Sequence, residues 1–451
     1  MRKRISAFFS VLAAIVLLTV PASAASSGST LKIICADAGQ VIFTPPGSTQ
    51  YAYRYGPAIL IDGDRIDIWA SAPPLVSNGV RYGNDSIEYI RSTDGGKTWT
   101  EWKTVLYPTL NSEDQWSTCD PGAFKYGDYY YVGYTGSPEF RTNPDKEKQV
   151  NNLFIARAKN PEGPYEKWNG NGWGGDPYAI TRYSGDGVGC SMPSFTVKGD
   201  TLYMYYVDQT HPDQDWNSEG NISVSTFSLK DPNWPGNELS NKMCENKPEE
   251  VRYCPDIDKF IGFQLKGGWD YDSYVEIYES TDGVNFTKTS SFRNNFPHYA
   301  HNIGISGNNL GQLDLSIQNY IGTAYTPTGV EAWWGHWHTQ LIPLYIREEQ
   351  PSPTTSSQPS VSTDSSSQKP TTSSVGSTDG KSSETEVSEP QNSNIESTVS
   401  DDKDKDKEVN NKTEQQEETS YLWLYIVIGA VVVLAGAGTA VYFLVIKKKH
   451  V

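Results

Sequence analysis

A short strand–turn–strand unit recurs five times in this 451-residue chain, and no other feature limits its fold as strongly. Each unit opens with a turn and a short apolar segment, then a tight turn and a second apolar segment. The opening segments are residues 55–61, 120–124, 192–197, 251–253 and 301–306. The second segments are residues 66–70, 129–134, 201–207, 259–264 and 320–325. This pattern predicts an all-β domain.

The turns and the spacing of the units favour a propeller. Hairpin signals separate the two strands of a unit, with Asp-Gly-Asp at 62–64, Tyr-Gly-Asp at 126–128 and Lys-Gly-Asp at 198–200. Successive units lie about 50–70 residues apart, slightly more than one ordinary four-stranded blade. We therefore predict a five-bladed β-propeller, in which the early strand from Leu31 to Cys35 completes the last blade. A β-sandwich gives similar strand signals and is a minor alternative.

The two ends of the chain predict export and membrane anchoring. Residues 1–24 combine a basic start, an apolar run and a small-x-small cleavage site, which is typical of a secretory signal peptide. Residues 421–446 form an uncharged apolar run long enough to be a single C-terminal transmembrane helix. Lysines in the tail at 447–451 place that end in the cytoplasm. We predict a single-pass protein of a bacterial cell surface with an extracellular N-terminal domain.

Residues 27–347 form the predicted propeller domain, and residues 350–420 a disordered stalk rich in Ser, Thr, Pro and acidic residues. Much of the net charge of −17 lies in this stalk. The acidic balance argues against nucleic acid as a partner, because nucleic acid requires a basic patch.

Five cysteines leave at least one thiol unpaired. Cys244 and Cys254 are close enough in sequence to close a disulfide loop, although spacing alone does not establish one. No two of the five form a CxxC pair, so no zinc site is predicted. We predict no cofactor and no catalytic metal, and the sequence leaves open a structural calcium ion on the propeller axis.

One hairpin motif is specific. Residues 92–99 match the pattern S-x-D-x-G-x-T-W, and residues 280–286 are a degenerate copy. In such a hairpin the Asp accepts backbone N–H bonds, Gly supplies a positive φ, and the aromatic residue packs between strands. The pattern resembles the Asp-box (BNR repeat) of sialidase-like propellers, where the hairpin joins outer strands away from the ligand. The resemblance implies that Asp94 and Asp282 are scaffold residues.

Two groups of glycoside hydrolases share further residues with this chain. Asp120-Pro121, followed by residues 124–132, resembles the arabinanase/xylosidase-type enzymes of family 43. That family takes an Asp from blade one, an Asp from blade two and a Glu from blade three. The resemblance implies that Asp120 is the blade-two carboxylate, whereas Gly56 and Met192 stand where the family has its other two acids.

The start of the first blade instead resembles the bacterial sialidases, which have an Arg close before a Pro and an apolar strand. Arg54 matches that position. The resemblance implies that Arg54, and Arg252 just inside blade four, bind a substrate carboxylate, because a guanidinium fork matches a carboxylate.

In a propeller the innermost strands begin near one end of the central channel, and residues at those starts face the usual ligand site. Glycoside hydrolysis needs two carboxyls, one of them a proton donor with a raised pKa. Sugars also stack on aromatic rings, so loop aromatics such as Trp269 suit a glycan site. The candidate catalytic residues are Asp120, Glu139 and Glu88. The candidate substrate-binding residues are Arg54, Trp116, Tyr134, Ser191, Arg252, His301 and Asn302.

Each of these residues also has a purely structural interpretation, such as a turn aspartate, a surface acid or a buried structural histidine. Three functional hypotheses follow. The first is a surface glycoside hydrolase acting on extracellular glycans or polysaccharides. The second is a glycan-binding propeller with a degenerate active site, and the third is a protein-interaction scaffold. A second carboxyl near Asp120 in the folded domain discriminates between the first two.

Overall fold

The computed structural model describes residues 29–47, 52–143, 146–183, 188–210, 220–328 and 335–349, with backbone alone for 140–143 and 146–149. These residues belong to one unit, Met1–Gln358, and a second unit, Pro359–Val451, lies outside them. The predicted signal peptide, stalk, transmembrane helix and tail also lie outside the described residues. Within the described ranges, no helix is long and apolar enough to cross a membrane.

The described residues form strands and contain no helix, as the all-β prediction requires. In chain order the strands are β1 Thr30–Cys35, β2 Gln40–Phe43, β3 Tyr55–Asp62, β4 Arg65–Ala72, β5 Leu75–Ser77, β6 Val80–Tyr82, β7 Ser86–Ser92, β8 Lys103–Leu106, β9 Ser117–Tyr126, β10 Tyr129–Ser137, β11 Phe140–Asn143, β12 Lys146–Gln149, β13 Asn152–Ala158, β14 Glu166–Lys167, β15 Gly189–Lys198, β16 Thr201–Gln209, β17 Asn221–Ser228, β18 Glu238–Met243, β19 Glu250–Cys254, β20 Lys259–Lys266, β21 Tyr274–Ser280, β22 Thr287–Phe292, β23 Ala300–Gly307, β24 Asn319–Tyr325 and β25 His338–Glu349. Every predicted opening and second segment coincides with a strand.

Within the described chain, the larger sheets consist of five antiparallel groups of four strands and one further strand, β2, which pairs with β25 of the last group. Their orders are β3-β4-β7-β8, β9-β10-β13-β14, β15-β16-β17-β18, β19-β20-β21-β22 and β23-β24-β25-β1. The segment from Leu31 to Cys35 does join the last group, since β1 pairs antiparallel with β25 along its whole length. A short parallel pairing of Ser306 with Ile59 and of Gly307 with Leu60 links the last group to the first. The groups therefore follow one another in chain order, and the last returns to the first.

The apolar core lies between the groups. Trp69 of the first group packs with Tyr134 of the second in one buried cluster. Other clusters join the second group to the third, the third to the fourth and the fourth to the fifth. A further cluster brings Leu341 of the last group against Ile68 of the first. Each group therefore buries both faces against its two neighbours, which explains why strands such as β3 and β10 are buried almost throughout.

The hairpin turn after β7 has the structure that its sequence predicts. Asp94 Oδ1 accepts hydrogen bonds from the N–H groups of Lys97 (3.0 Å) and Thr98 (2.9 Å). Gly95 has a φ of 72° and Trp99 packs against the neighbouring core. The turn joins β7 to β8, the last two strands of the first group. Asp282 caps the turn from β21 to β22 in the same way.

All five cysteines, Cys35, Cys119, Cys190, Cys244 and Cys254, are buried and free. The sequence left a disulfide between Cys244 and Cys254 open, and the structure does not form it. The two thiols lie in different buried clusters, on either side of the fourth group.

Candidate functional site

The first strands of four groups share an irregularity where they begin. β3, β9, β15 and β23 each shift register against their second strand at this point. At each shift one residue has a positive φ: Gly56 (57°), Asp120 (48°), Met192 (58°) and Asn302 (55°). We call these four residues the strand-start cluster. A positive φ is unfavourable for most residues other than glycine, so its recurrence in Asp120, Met192 and Asn302 at equivalent positions makes this cluster the candidate site.

The residues of the strand-start cluster approach one another. Asn302 Nδ2 donates a hydrogen bond to Asp120 Oδ1 at 3.2 Å. A Cβ placed on Gly56 would lie 3.5 Å from Asp120 Oδ1 and 3.6 Å from Asn302 Nδ2. Met192 connects through Thr135, whose Oγ1 accepts the Met192 N–H at 2.9 Å and whose side chain also bonds to Asp120. Asp120 and Asn302, predicted separately as catalytic and substrate-binding candidates, are therefore in direct contact within this cluster.

The carboxyl of Asp120 is strongly perturbed. Burial raises the pKa of Asp120 to about 6, the neighbouring Cys119 thiol opposes the rise, and the negative charge of Asp85 adds to it. Its backbone N–H donates to Ser71 Oγ at 2.7 Å, which fixes the strained conformation. A carboxyl with a pKa of about 6 can hold and release a proton near neutral pH, as a general acid must.

Asp85 is the second carboxyl that acts on Asp120. It is buried and accepts hydrogen bonds from Tyr53 OH (2.6 Å), Asn84 Nδ2 (3.0 Å) and Ser117 Oγ (3.0 Å). Burial raises the pKa of Asp85, and these three donors oppose the rise. Because its oxygens are occupied, Asp85 tunes the electrostatics of the site and does not offer a free base. Asp85 is not among the candidates predicted from the sequence, since nothing in the local pattern distinguishes it from a surface acid.

His301 lies beside the site within a group of aromatic rings. Its ring centroid is 4.2 Å from that of Trp269, 4.3 Å from that of Trp337 and 5.4 Å from that of Tyr55. Burial lowers the pKa of His301 to about 3, so the imidazole is neutral at physiological pH. A neutral ring among aromatics suits packing and weak hydrogen bonding to a ligand.

Arg54 and Glu88 pair with each other. Arg54 Nη2 lies 2.5 Å from Glu88 Oε2, and the guanidinium stacks over Phe43 with 4.5 Å to the ring centroid. Burial lowers the pKa of Arg54, and Glu88 opposes that effect. This contact gives no support to a carboxylate-binding role for Arg54 or a catalytic role for Glu88.

The guanidinium of Arg252 is occupied by contacts with neighbouring strands. It is buried, and it pairs with Glu250 (2.8 Å), donates to Ser194 Oγ (2.7 Å) and donates to the carbonyl of Ile305 (Nε, 3.1 Å). These contacts tie the third, fourth and fifth groups together. The guanidinium therefore has little capacity left for a ligand, and these contacts give no support to the substrate-binding role predicted for Arg252.

The remaining candidates fall into two classes. Tyr134 is 0% exposed, stacks on Phe154 and donates to Asp114 Oδ2 at 2.9 Å, so it packs in the core, which gives no support to its predicted substrate-binding role. Ser191 is also buried, immediately before Met192. Trp116 is half-buried just before β9, and Glu139 is exposed just after β10. Both lie on the side where β9 begins, and their predicted roles stay predictions.

Among the described residues, no group of three or more His, Cys, Asp or Glu side chains could hold a metal ion.

No protein-family model matches the sequence, and no curated protein matches it. Solved structures with a related arrangement of strands include an α-L-arabinofuranosidase from Podospora anserina, crystallised with cellotriose (11% identity, TM-score 0.44). The match covers 71% of this chain and 98% of that one. A family 117 glycoside hydrolase from Zobellia galactanivorans matches at 14% identity and a TM-score of 0.45, over 72% and 92% of the two chains. An α-L-arabinofuranosidase from Lactobacillus brevis matches at 14% and 0.44, over 64% and 90%.

Proposed function

We propose that this chain is a cell-surface glycoside hydrolase, a five-bladed β-propeller that acts on extracellular glycans with Asp120 as its proton donor. The observation that carries the proposal is the Asp120 carboxyl, held at the strand-start cluster with a pKa raised to about 6. A glycosidase needs such a group to protonate the leaving oxygen at near-neutral pH.

The connections between the groups support a closed propeller. The first strands contact one another in the cyclic order β3, β9, β15, β19, β23 and back to β3. The apolar clusters follow the same cycle. In this arrangement each group is one blade, and the strand-start cluster faces the central channel.

The charges around Asp120 favour a neutral sugar over an acidic one. Recognition of a sialic or uronic acid carboxylate needs arginine forks. The two arginines that sequence suggested, Arg54 and Arg252, are engaged by Glu88 and Glu250. The charged group that acts on Asp120 is the anion of Asp85. The proposed substrate is therefore a neutral glycan, and sialidase activity is not expected.

The location at the cell surface rests on the sequence. The signal peptide at 1–24, the stalk at 350–420 and the transmembrane helix at 421–446 would hold the propeller outside the cell on a flexible tether. Such a tether allows the site to reach an extracellular polymer close to the membrane.

A second candidate function is glycan binding without hydrolysis. Hydrolysis requires a base or nucleophile in addition to the proton donor. The other members of the strand-start cluster are Gly56, Met192 and Asn302, and none of these side chains ionises in the required range. This observation favours a propeller that retains glycan binding and has lost turnover.

The deciding experiment measures hydrolysis by the full-length protein in mild detergent. The substrates are aryl arabinofuranosides, xylosides and sialosides, together with xylan- and arabinan-derived oligosaccharides. Asp120→Asn is compared with Asp128→Asn, which makes the same chemical change in the exposed turn of the same group. We expect turnover of a neutral substrate that Asp120→Asn abolishes and Asp128→Asn preserves. Binding without turnover would favour the second candidate, and turnover that survives in Asp120→Asn would remove Asp120 from the mechanism.

A further inference from the structure

Trp269 and Tyr271 project from the loop between β20 and β21, beside the strand-start cluster. Trp269 is 38% exposed and Tyr271 is 51% exposed. Large aromatic side chains usually bury most of their surface, so two exposed rings in one short turn need a reason. The backbone of Trp269 also has a φ of 70°, which is strained for a bulky residue.

The loop is held rigidly despite this strain. The Trp269 N–H donates to the carbonyl of Ala300 (2.9 Å), and the Tyr299 N–H donates to the carbonyl of Asp270 (2.9 Å). Ser273 Oγ lies 2.8 Å from both the Gly267 and Asp270 carbonyls, so its one proton is shared between them, and it accepts the Ala300 N–H at 3.1 Å. The surrounding hydrogen bonds thus maintain a costly conformation that leaves part of an aromatic ring in solvent. Strained residues of this kind cluster at active sites and ligand-binding sites.

The position of Trp269 connects it to the site. Its ring contacts His301, and the next residue, Asn302, donates to Asp120. Tyr271, two residues further along the loop, is more exposed than Trp269 and stacks its ring on His298 at a centroid distance of 3.8 Å. Trp269 is thus linked to Asp120 through His301 and Asn302, and Tyr271 adds a second exposed ring to the same loop.

We propose that Trp269 forms a sugar-stacking subsite next to Asp120, and that Tyr271 extends it toward the outside of the domain. The occupant is a neutral sugar unit of the same oligosaccharide whose glycosidic bond lies at Asp120. An apolar CH face of a sugar ring matches an exposed aromatic face. The rigid loop reduces the entropy cost of binding, because the rings are already in place. This inference rests on the proposed glycan-active function and adds to it a preference for oligomeric over monomeric ligands.

The test uses isothermal titration of full-length Asp120→Asn protein, in which turnover is blocked. The probes are xylo- and arabino-oligosaccharides from one to five units. We expect affinity to increase with length, and Trp269→Ala to weaken binding of the longer probes about tenfold, the value of one good aromatic contact. Trp269→Phe should restore most of this loss. Tyr345→Ala, an exposed tyrosine on β25, should change nothing.

The outcomes separate the subsite from the underlying function. Tyr271→Ala should weaken only the longest probes, which keeps the proposal testable if Trp269→Ala fails to fold. If the parent protein binds the oligosaccharides and neither aromatic variant weakens them, the subsite is refuted while the proposed function stands. If the parent protein binds no probe at all, the proposed function fails and the subsite fails with it.

Discussion

Asp120 and Asn302 are 182 residues apart in sequence, yet the Asn302 amide donates directly to the Asp120 carboxylate. One residue opens the second group and the other opens the fifth, and both have a positive φ at a register shift. The contact therefore crosses the region where the groups converge. It also links the Asp120 carboxyl to the segment that carries His301, whose ring contacts Trp269.

Asp120→Asn should stabilise the protein at neutral pH. Because folding raises the pKa of Asp120 from 3.8 to about 6, its favourable contribution is complete below about pH 4 and is lost as the pH rises through 6. Removing the ionisable group should therefore increase the free energy of unfolding above pH 6, by at most about 3 kcal/mol. Denaturant melts at pH 4 and pH 7.5 measure the difference, with Asp128→Asn as the control. An equal effect at both pH values would show that Asp120 does not titrate as described.

If Asp120 is the proton donor, kcat/KM should fall as the pH rises through about 6, because the free enzyme then loses the proton it must donate. The hydrogen bond from Asn302 stabilises the ionised carboxylate of Asp120. Asn302→Ala removes this bond, so it should raise the pKa of Asp120 and move the descending limb to higher pH. The measurement is a pH–rate profile of both proteins on the same neutral substrate. A descending limb that stays in place in Asn302→Ala would contradict the role of this contact.

Gly56→Asp should raise the pKa of Asp120 further. A Cβ at this position lies 3.5 Å from Asp120 Oδ1, so a carboxylate there adds a second like charge at short range. Aspartate tolerates the positive φ of Gly56 better than most residues, at a cost of about 1–2 kcal/mol. Gly56→Asn has the same conformational cost without the charge. NMR titration of both variants measures the shift, and equal Asp120 pKa values in the two would refute the predicted coupling.

Lys167→Met should be strongly destabilising. Lys167 Nζ lies 2.5 Å from Asp114 Oδ2, Asp114 is fully buried, and burial lowers the pKa of Lys167. Removing the ammonium leaves an uncompensated buried carboxylate, which costs about 3–5 kcal/mol. Lys230 forms a comparable but exposed ion pair with Asp200. Lys230→Met should leave the denaturation midpoint unchanged, and similar losses in both variants would show that burial is not the cause.

Asp94→Ala should lower the melting temperature without affecting ligand binding. The Thr98 hydroxyl and backbone, together with the Ser92 hydroxyl, lower the pKa of Asp94 to about 2. The stability that this turn provides is thus present above about pH 4 and is lost as the pH falls through 2. Thermal melts at pH 2 and pH 7 should show a clearly larger difference from wild type at pH 7 than at pH 2. Altered oligosaccharide affinity would instead place the turn in the binding site.

Most of the strand pattern could be predicted from sequence, because apolar segments and Gly-Asp turns are local signals. The pairing of β1 with β25 could also be predicted, since an isolated early strand needs a partner. Asp120 and Asn302 could be predicted as site residues because each lies where the first strand of a group begins.

The partners of the charged residues could not be predicted. Arg54 looked like a ligand-binding arginine, but Glu88 reaches it from another strand of the same group. Arg252 contacts Glu250, Ser194 and Ile305, which lie in three different groups. The burial of Tyr134 was equally unpredictable, because it depends on contacts with Phe154 and Asp114 in neighbouring segments. Such pairings depend on the assembled sheet order, which a local pattern does not contain.

The pairing of β1 with β25 also has a mechanical consequence. Thr30 is in register with Glu349, so the first and last strands are antiparallel and their outer ends lie side by side. A pulling force applied between these two ends would separate the strands one hydrogen bond at a time, like a zipper. A force applied between Glu349 and a polymer held at Asp120 would instead load several strands together. Under the proposed function, the domain would therefore withstand a force transmitted through a bound polymer better than the same force applied between its first and last strands.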